Sequence, residues 1–252
     1  MKSNSSKKSA TGHNTMWNIR ILLRREFIMA IESFRLQGLI IFQMSLMVFL
    51  NGMEDGMYNK WFFDMPYYFI PIILLVTSST LISRERENGM LDLLRLSRIT
   101  KIEFMVSKAI FGLIMYFIFA ALYLIDVALF AMEFGDYYLI INLLGIFGMY
   151  LLIFILFMLL SLIVSALSSR DGYSVGISTF YMIYVMFIHM FLIRFTPYYK
   201  YTILGKVLTD LDKIYHGNYP DPIIWGGLFM ATILLMLGYY FVIGRLWRGL
   251  KE

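Results

Sequence analysis

The side chains able to do acid–base, nucleophilic or metal chemistry are few in this sequence and stand far apart. There is no cysteine, which excludes a disulfide, a thiolate metal site and a cysteine nucleophile. The histidines are His13, His189 and His216, in three separate regions, and no HExxH spacing occurs, so no metal site is expected. Gly172-Tyr173-Ser174-Val175-Gly176 has the GxSxG spacing of a nucleophilic serine. Such a serine works from a strand–turn–helix elbow, and none surrounds it here. His189 lies further along the same apolar run, about 22 Å away at a helical rise of 1.5 Å per residue, so the two form no dyad within one chain. Small residues at this point suit close helix packing instead. Asp126 and His189 each interrupt an apolar run. Intramembrane ionisable groups are costly and mark polar paths, which makes both candidates to line a translocation path; the alternative is that both sit near enough to an interface to be hydrated. No GxxxxGK[ST] phosphate loop exists, so ATP hydrolysis is not expected of this chain.

The elements that must carry these residues are set by composition. Of 252 residues, 60% are hydrophobic and 15% charged, with mean hydropathy +0.70. Soluble domains run near 45–50% apolar and about 25% charged, so an integral membrane protein is expected. Six apolar runs approach the roughly 20 residues that cross a bilayer: about 36–51, 65–82, 109–132, 138–167, 173–193 and 223–244. Helices satisfy their own backbone in lipid, and two-residue alternation is absent, so the fold class is all-α rather than a barrel. Residues 1–15 are polar and read as a disordered cytoplasmic tail without a cleavable leader; residues 16–252 read as one six-helix domain. Of the 22 Lys and Arg, 17 fall on the side holding both termini and 5 on the other. The positive-inside rule then places both termini in the cytoplasm of a cell (plasma or inner) membrane. The net charge of +5 serves this orientation, and nucleic acid is not an expected partner.

Between the runs, Met16–Arg35 is amphipathic. Ile19, Leu23, Phe27, Ala30, Ile31 and Phe34 share a face, with Arg20, Arg24 and Arg35 flanking it. A helix of this kind lies in the membrane surface against lipid. Residues 83–108, SRERENGMLDLLRLSRITKIEFMVSK, form the longest cytoplasmic loop: a charged turn at Asn88-Gly89, then a short helix with apolar Met90, Leu91, Leu93, Leu94, Leu96 and Ile99. Those apolar residues need something to pack on, either this chain's own helices or a cytoplasmic partner. The external loop 194–222 carries Pro197, Pro220, Pro222 and many tyrosines, and suits short helices dipping into the outer leaflet.

Glu85-Arg86-Glu87-Asn88-Gly89-Met90-Leu91-Asp92-Leu93-Leu94, followed by Ile99-Thr100-Lys101, resembles the loop of ABC transporter type-2 permeases, and Lys108 resembles the lysine that opens their third span. Leu22-Leu23-Arg24-Arg25-Glu26-Phe27 is similar to the family's N-terminal elbow helix, and Thr196-Pro197-Tyr198-Tyr199-Lys200-Tyr201 to the segment after its fifth span. Arg98 stands where the family often has proline, and Met90 where it often has threonine.

The resemblance implies a permease subunit of an exporter. It would have an interfacial elbow helix (Leu23, Arg24, Arg25, Phe27), external re-entrant helices between spans five and six, and a coupling helix between spans two and three. Arg84, Glu85, Arg86, Glu87, Gly89, Met90, Leu91 and Leu94 would contact a separate ATPase. The implied partners are two copies of that ATP-binding-cassette subunit, which holds the ATP and magnesium, a second permease that is identical or homologous, and membrane lipid. This chain would bind no cofactor and would not itself be an enzyme. The sparsely charged interior suits amphipathic or lipidic cargo. The competing readings are a six-span membrane enzyme or protease, and an ATP-independent immunity or scaffold protein.

Overall fold

The computed structural model describes residues 5–32, 37, 38, 41, 78–97, 99–134, 138–170, 172–180, 206, 207, 209, 210, 213 and 218–248. The regular elements among them are helices: α1 (Ser5–Glu32), α2 (Ser83–Glu87), α3 (Met90–Leu96), α4 (Lys101–Phe134), α5 (Tyr138–Leu167) and α6 (Pro222–Arg248). A further helical stretch covers 172–180. There is no strand among the described residues. Three segments are long and apolar enough to cross a membrane: Lys101–Ile125, Phe147–Leu167 and Pro222–Arg248. They belong to the third, fourth and sixth apolar runs. Nearly all of the first run, most of the second and fifth, and most of the external loop lie outside the described residues.

Local chemistry explains the helix limits. α5 spans the residues of the fourth run itself. α4 begins at Lys101, eight residues before the start of its apolar run at Ala109. Thr100 and Glu103 form a capping box there: the Glu103 N–H donates to Thr100 Oγ1 at 3.3 Å, and the Thr100 N–H donates to Glu103 Oε2 at 2.7 Å. α6 begins at Pro222, whose missing N–H costs nothing in a first turn. Asp221 caps it by accepting the Ile223 N–H at 3.0 Å. α1 extends back to Ser5, through residues read from the sequence as a tail. Adding residues to a nucleated helix is cheap, and no proline or glycine pair interrupts this stretch.

α5 is central, packing against α6 and α4. Aromatic rings join it to α4: Tyr116 meets Phe154 at 4.6 Å and Tyr123 meets Phe147 at 5.6 Å between centroids. The Tyr116 hydroxyl donates to the Phe147 carbonyl at 2.9 Å. Gly112 lies so close to α5 that a Cβ there would fall 2.4 Å from Met158 Sδ. α1 packs on α4, with Phe27 edge-on to Phe111 at 5.3 Å. Among its described side chains the buried ones are Leu22, Glu26 and Ala30, and Ile31 is exposed. An ion pair with Lys108 draws Glu26 inside.

Candidate functional site

The residues singled out in the 83–94 segment gather at one end of the bundle, where α1, α2, α3 and the start of α4 meet. The backbone over 78–82 forms turns before α2 begins. Turns leave N–H groups without helical acceptors, and a remote hydroxyl takes two of them: Ser165 Oγ on α5 accepts the Ile82 and Ser83 N–H groups, each at 3.0 Å. Ser174 donates its hydroxyl to the Ser79 carbonyl, which anchors the 172–180 helix to the same turn. Ser174 is therefore buried in a packing contact.

Gly89 separates α2 from α3. Its φ of 67° lies in the left-handed region, where glycine pays no Cβ penalty. Its N–H closes α2 by donating to the Arg86 carbonyl at 3.1 Å. α3 then presents two faces. Leu91 and Leu94 are 3% and 7% exposed and join the core, while Leu93 and Leu96 are 61% and 86% exposed. Met90 is half-buried against the core.

The charged residues divide in the same way. Arg84 is half-exposed, and Arg86 and Glu87 are exposed, with Arg86 Nη1 donating to the Ser168 carbonyl at 3.5 Å. Glu85 turns inward and is 2% exposed. Lys108 Nζ, fully buried on α4, donates to Glu26 Oε1 and stands 2.8 Å from Glu85 Oε1. Arg25 Nη1 reaches the same Glu85 oxygen at 3.1 Å. Among the described residues Glu85 Oε2 has no donor, so the two cations beside its other oxygen hold this carboxylate. Burial pushes the Glu85 carboxyl above the usual glutamate value; Lys108 opposes that rise and the neighbouring Glu26 charge adds to it. A cavity of about 30 Å³ adjoins the group, lined by Arg25, Thr80, Arg84, Glu85, Asn88 and Phe111 among others.

On α1, Leu23 and Phe27 are half-buried, Arg24 is exposed and Arg25 joins the ion cluster. Asn18 extends the joint by donating to Glu103 Oε1 at 3.2 Å. Asp126 lies on the α4 helix, but its side chain is outside the described residues, as is all of His189. Glu26, Glu103 and the bridging role of Lys108 were not picked out from the sequence. The signals were present: Asn18, Leu22, Glu26 and Ala30 recur at four-residue spacing, and Thr100-x-x-Glu103 is a capping-box pattern. At the opposite end of α6, buried Asp210 accepts the Asp221 N–H at 2.8 Å and the Lys213 ammonium at 2.7 Å. That hydrogen bond holds Lys213 above its ordinary value.

A family model described as ABC-2 family transporter protein matches residues 23–216, about three quarters of the chain. No curated protein matches the sequence. The match takes in the ion cluster and the two-faced α3 as well as the apolar spans around them, and the chain belongs to the ABC-2 family of transporter proteins.

Proposed function

We propose that this chain is the permease subunit of an ATP-binding-cassette exporter that crosses the membrane six times with both termini in the cytoplasm. It pairs with a second permease, identical or homologous, and with two copies of a separate ATPase subunit that carries ATP and magnesium. ATP binding rocks the permease pair between inward and outward states, and the cargo is amphipathic or lipidic. α1 is the interfacial elbow helix, α3 is the coupling helix, and the segment around Asp210 belongs to the external re-entrant helices.

The observation that carries the reading is the outer face of α3. Leu91 and Leu94 are buried in the core, whereas Leu93 and Leu96 are exposed among the described residues. Apolar surface left in water forgoes about 25 cal/mol per Å², so an apolar groove on a cytoplasmic partner is the fitting recipient. Exposed Arg86 and Glu87, on the preceding α2, supply the charge that steers the docking. Glu85 points the other way and holds the loop instead.

The test is affinity capture of the tagged chain from mild detergent, with mass spectrometry of what accompanies it. A stoichiometric ATPase of the ATP-binding-cassette type is expected, and recovery of the chain alone would overturn the reading.

A further inference from the structure

Lys108 brings together two carboxylates that are distant in sequence. Glu26 comes from α1 and Glu85 from α2, and both reach one ammonium near the start of α4. All three side chains are 2% exposed or less. Withdrawing each charge from water costs several kcal/mol, and apolar residues of like volume would usually hold a core at least as well. The neighbouring contacts show that this chain has the apolar alternative, since Phe27, next to Glu26, and Phe111, three residues after Lys108, join α1 to α4. What the ion cluster adds is a fixed mutual position for three elements. Lysine suits the place because its compact ammonium turns three donors toward partners on different elements, whereas the flat arginine fork favours one carboxylate at a time. The ammonium ring contact with Phe104, at 5.1 Å from the centroid, holds the lysine stem from its own helix.

We propose that Lys108 is a positioning residue: it locks α1, the α2–α3 segment and the start of α4 into one rigid joint, so that force applied to the outer face of α3 reaches the spans. The transmission half rests on the permease reading, but the lock does not. α3 follows α2 directly through the left-handed Gly89 turn, and Leu91 and Leu94 key it into the core. Among the described residues Glu85 has no hydrogen-bond donor on its second oxygen, so its position depends on Lys108 and Arg25. Among the described residues, removing Lys108 leaves Glu26 and Glu85 facing each other with Arg25 paired to Glu85 alone, and like charges part.

Because the natural chain lacks cysteine, two spin labels can be placed uniquely, at Ile28→Cys on α1 and Asn88→Cys after α2, both exposed positions. The full chain is measured in nanodiscs by double electron–electron resonance. A single narrow distance distribution is expected in the otherwise natural chain, and one at least twofold broader in Lys108→Met and in Glu85→Gln. Glu85→Gln keeps the shape and loses only the charge, so it decides the matter if Lys108→Met does not fold. Lys108→Arg should restore part of the narrowing. Equal widths in all variants would overturn the lock. In complex with its captured ATPase, the natural pair should keep one distance on addition of ATP and vanadate, while the Lys108→Met pair shifts. A natural pair that itself shifts would overturn the rigid joint. A chain that captures no ATPase sinks the permease reading, while the nanodisc measurement still decides the lock.

Discussion

Glu85 is the residue on which protonation, position and stability meet. Its folded carboxyl binds a proton more tightly than the ordinary value of 4.5, because burial disfavours the charge. Between that ordinary value and the raised folded one, the native state holds more protons than the unfolded chain. This group's contribution therefore makes stability rise as pH falls through the window. Lys108 is the strongest influence opposing the rise. Lys108→Met should move the window to higher pH, so the variant's melting temperature should gain more than the natural protein's on acidification from about pH 7.5 to about 5.5. Parallel shifts in the two proteins would show that Glu85 does not feel Lys108. Gly89 makes a second residue-scale prediction. With φ at 67°, Gly89→Ala should cost about 1–2 kcal/mol of stability, read as a lower chemical-denaturation midpoint.

At the scale of the element, α3 divides into a buried and an exposed face within seven residues. Leu91→Asp puts an unpaired charge into the core and should lower the melting temperature sharply, since Leu91 is 3% exposed. Leu93→Asp with Leu96→Asp changes only exposed positions and should leave stability within about 0.5 kcal/mol per site while abolishing ATPase capture. Capture that survives the pair would remove α3 from the docking surface. Helix limits were legible wherever a run of hydropathy or a cap marked them, as in α5 and in Pro222 at the head of α6. The start of α4 was readable too, from Thr100 and Glu103, but hydropathy alone passed over it because the first two turns carry Lys101, Glu103 and Lys108. The burial of Glu26 was not legible locally, since the partner that draws it inward lies 82 residues away.

In the molecule as a whole, the described residues of α5 are more enclosed than those of α6. About 56% of the α5 span is buried against 17% for that of α6, whose Phe229, Met230, Leu234 and Phe241 are exposed. Lipid is as apolar as leucine, so packing rather than hydrophobic transfer sets what each position is worth. Phe154→Ala, at a fully buried ring tilted against Tyr116, should open a cavity and cost about 3 kcal/mol, whereas Phe229→Ala should stay within about 0.5 kcal/mol. Thermal melts of the two variants in one lipid nanodisc check the contrast, and equal losses would mean that burial within the bundle does not govern stability.

Hydropathy and charge are properties of contiguous residues, and the bilayer reads them directly. The membrane class, the helical form of the spans, the charged segment between two of them and the family could therefore all be read from the residues in order. Which face of α3 remains free, and which carboxylates share Lys108, depend on side chains that meet only when segments far apart in sequence are packed together. An isolated helix gives Leu91 and Leu93 the same hydrophobicity and Glu85 and Glu87 the same charge. The packing of the neighbouring helices decides which of each pair is withdrawn from water and which stays exposed.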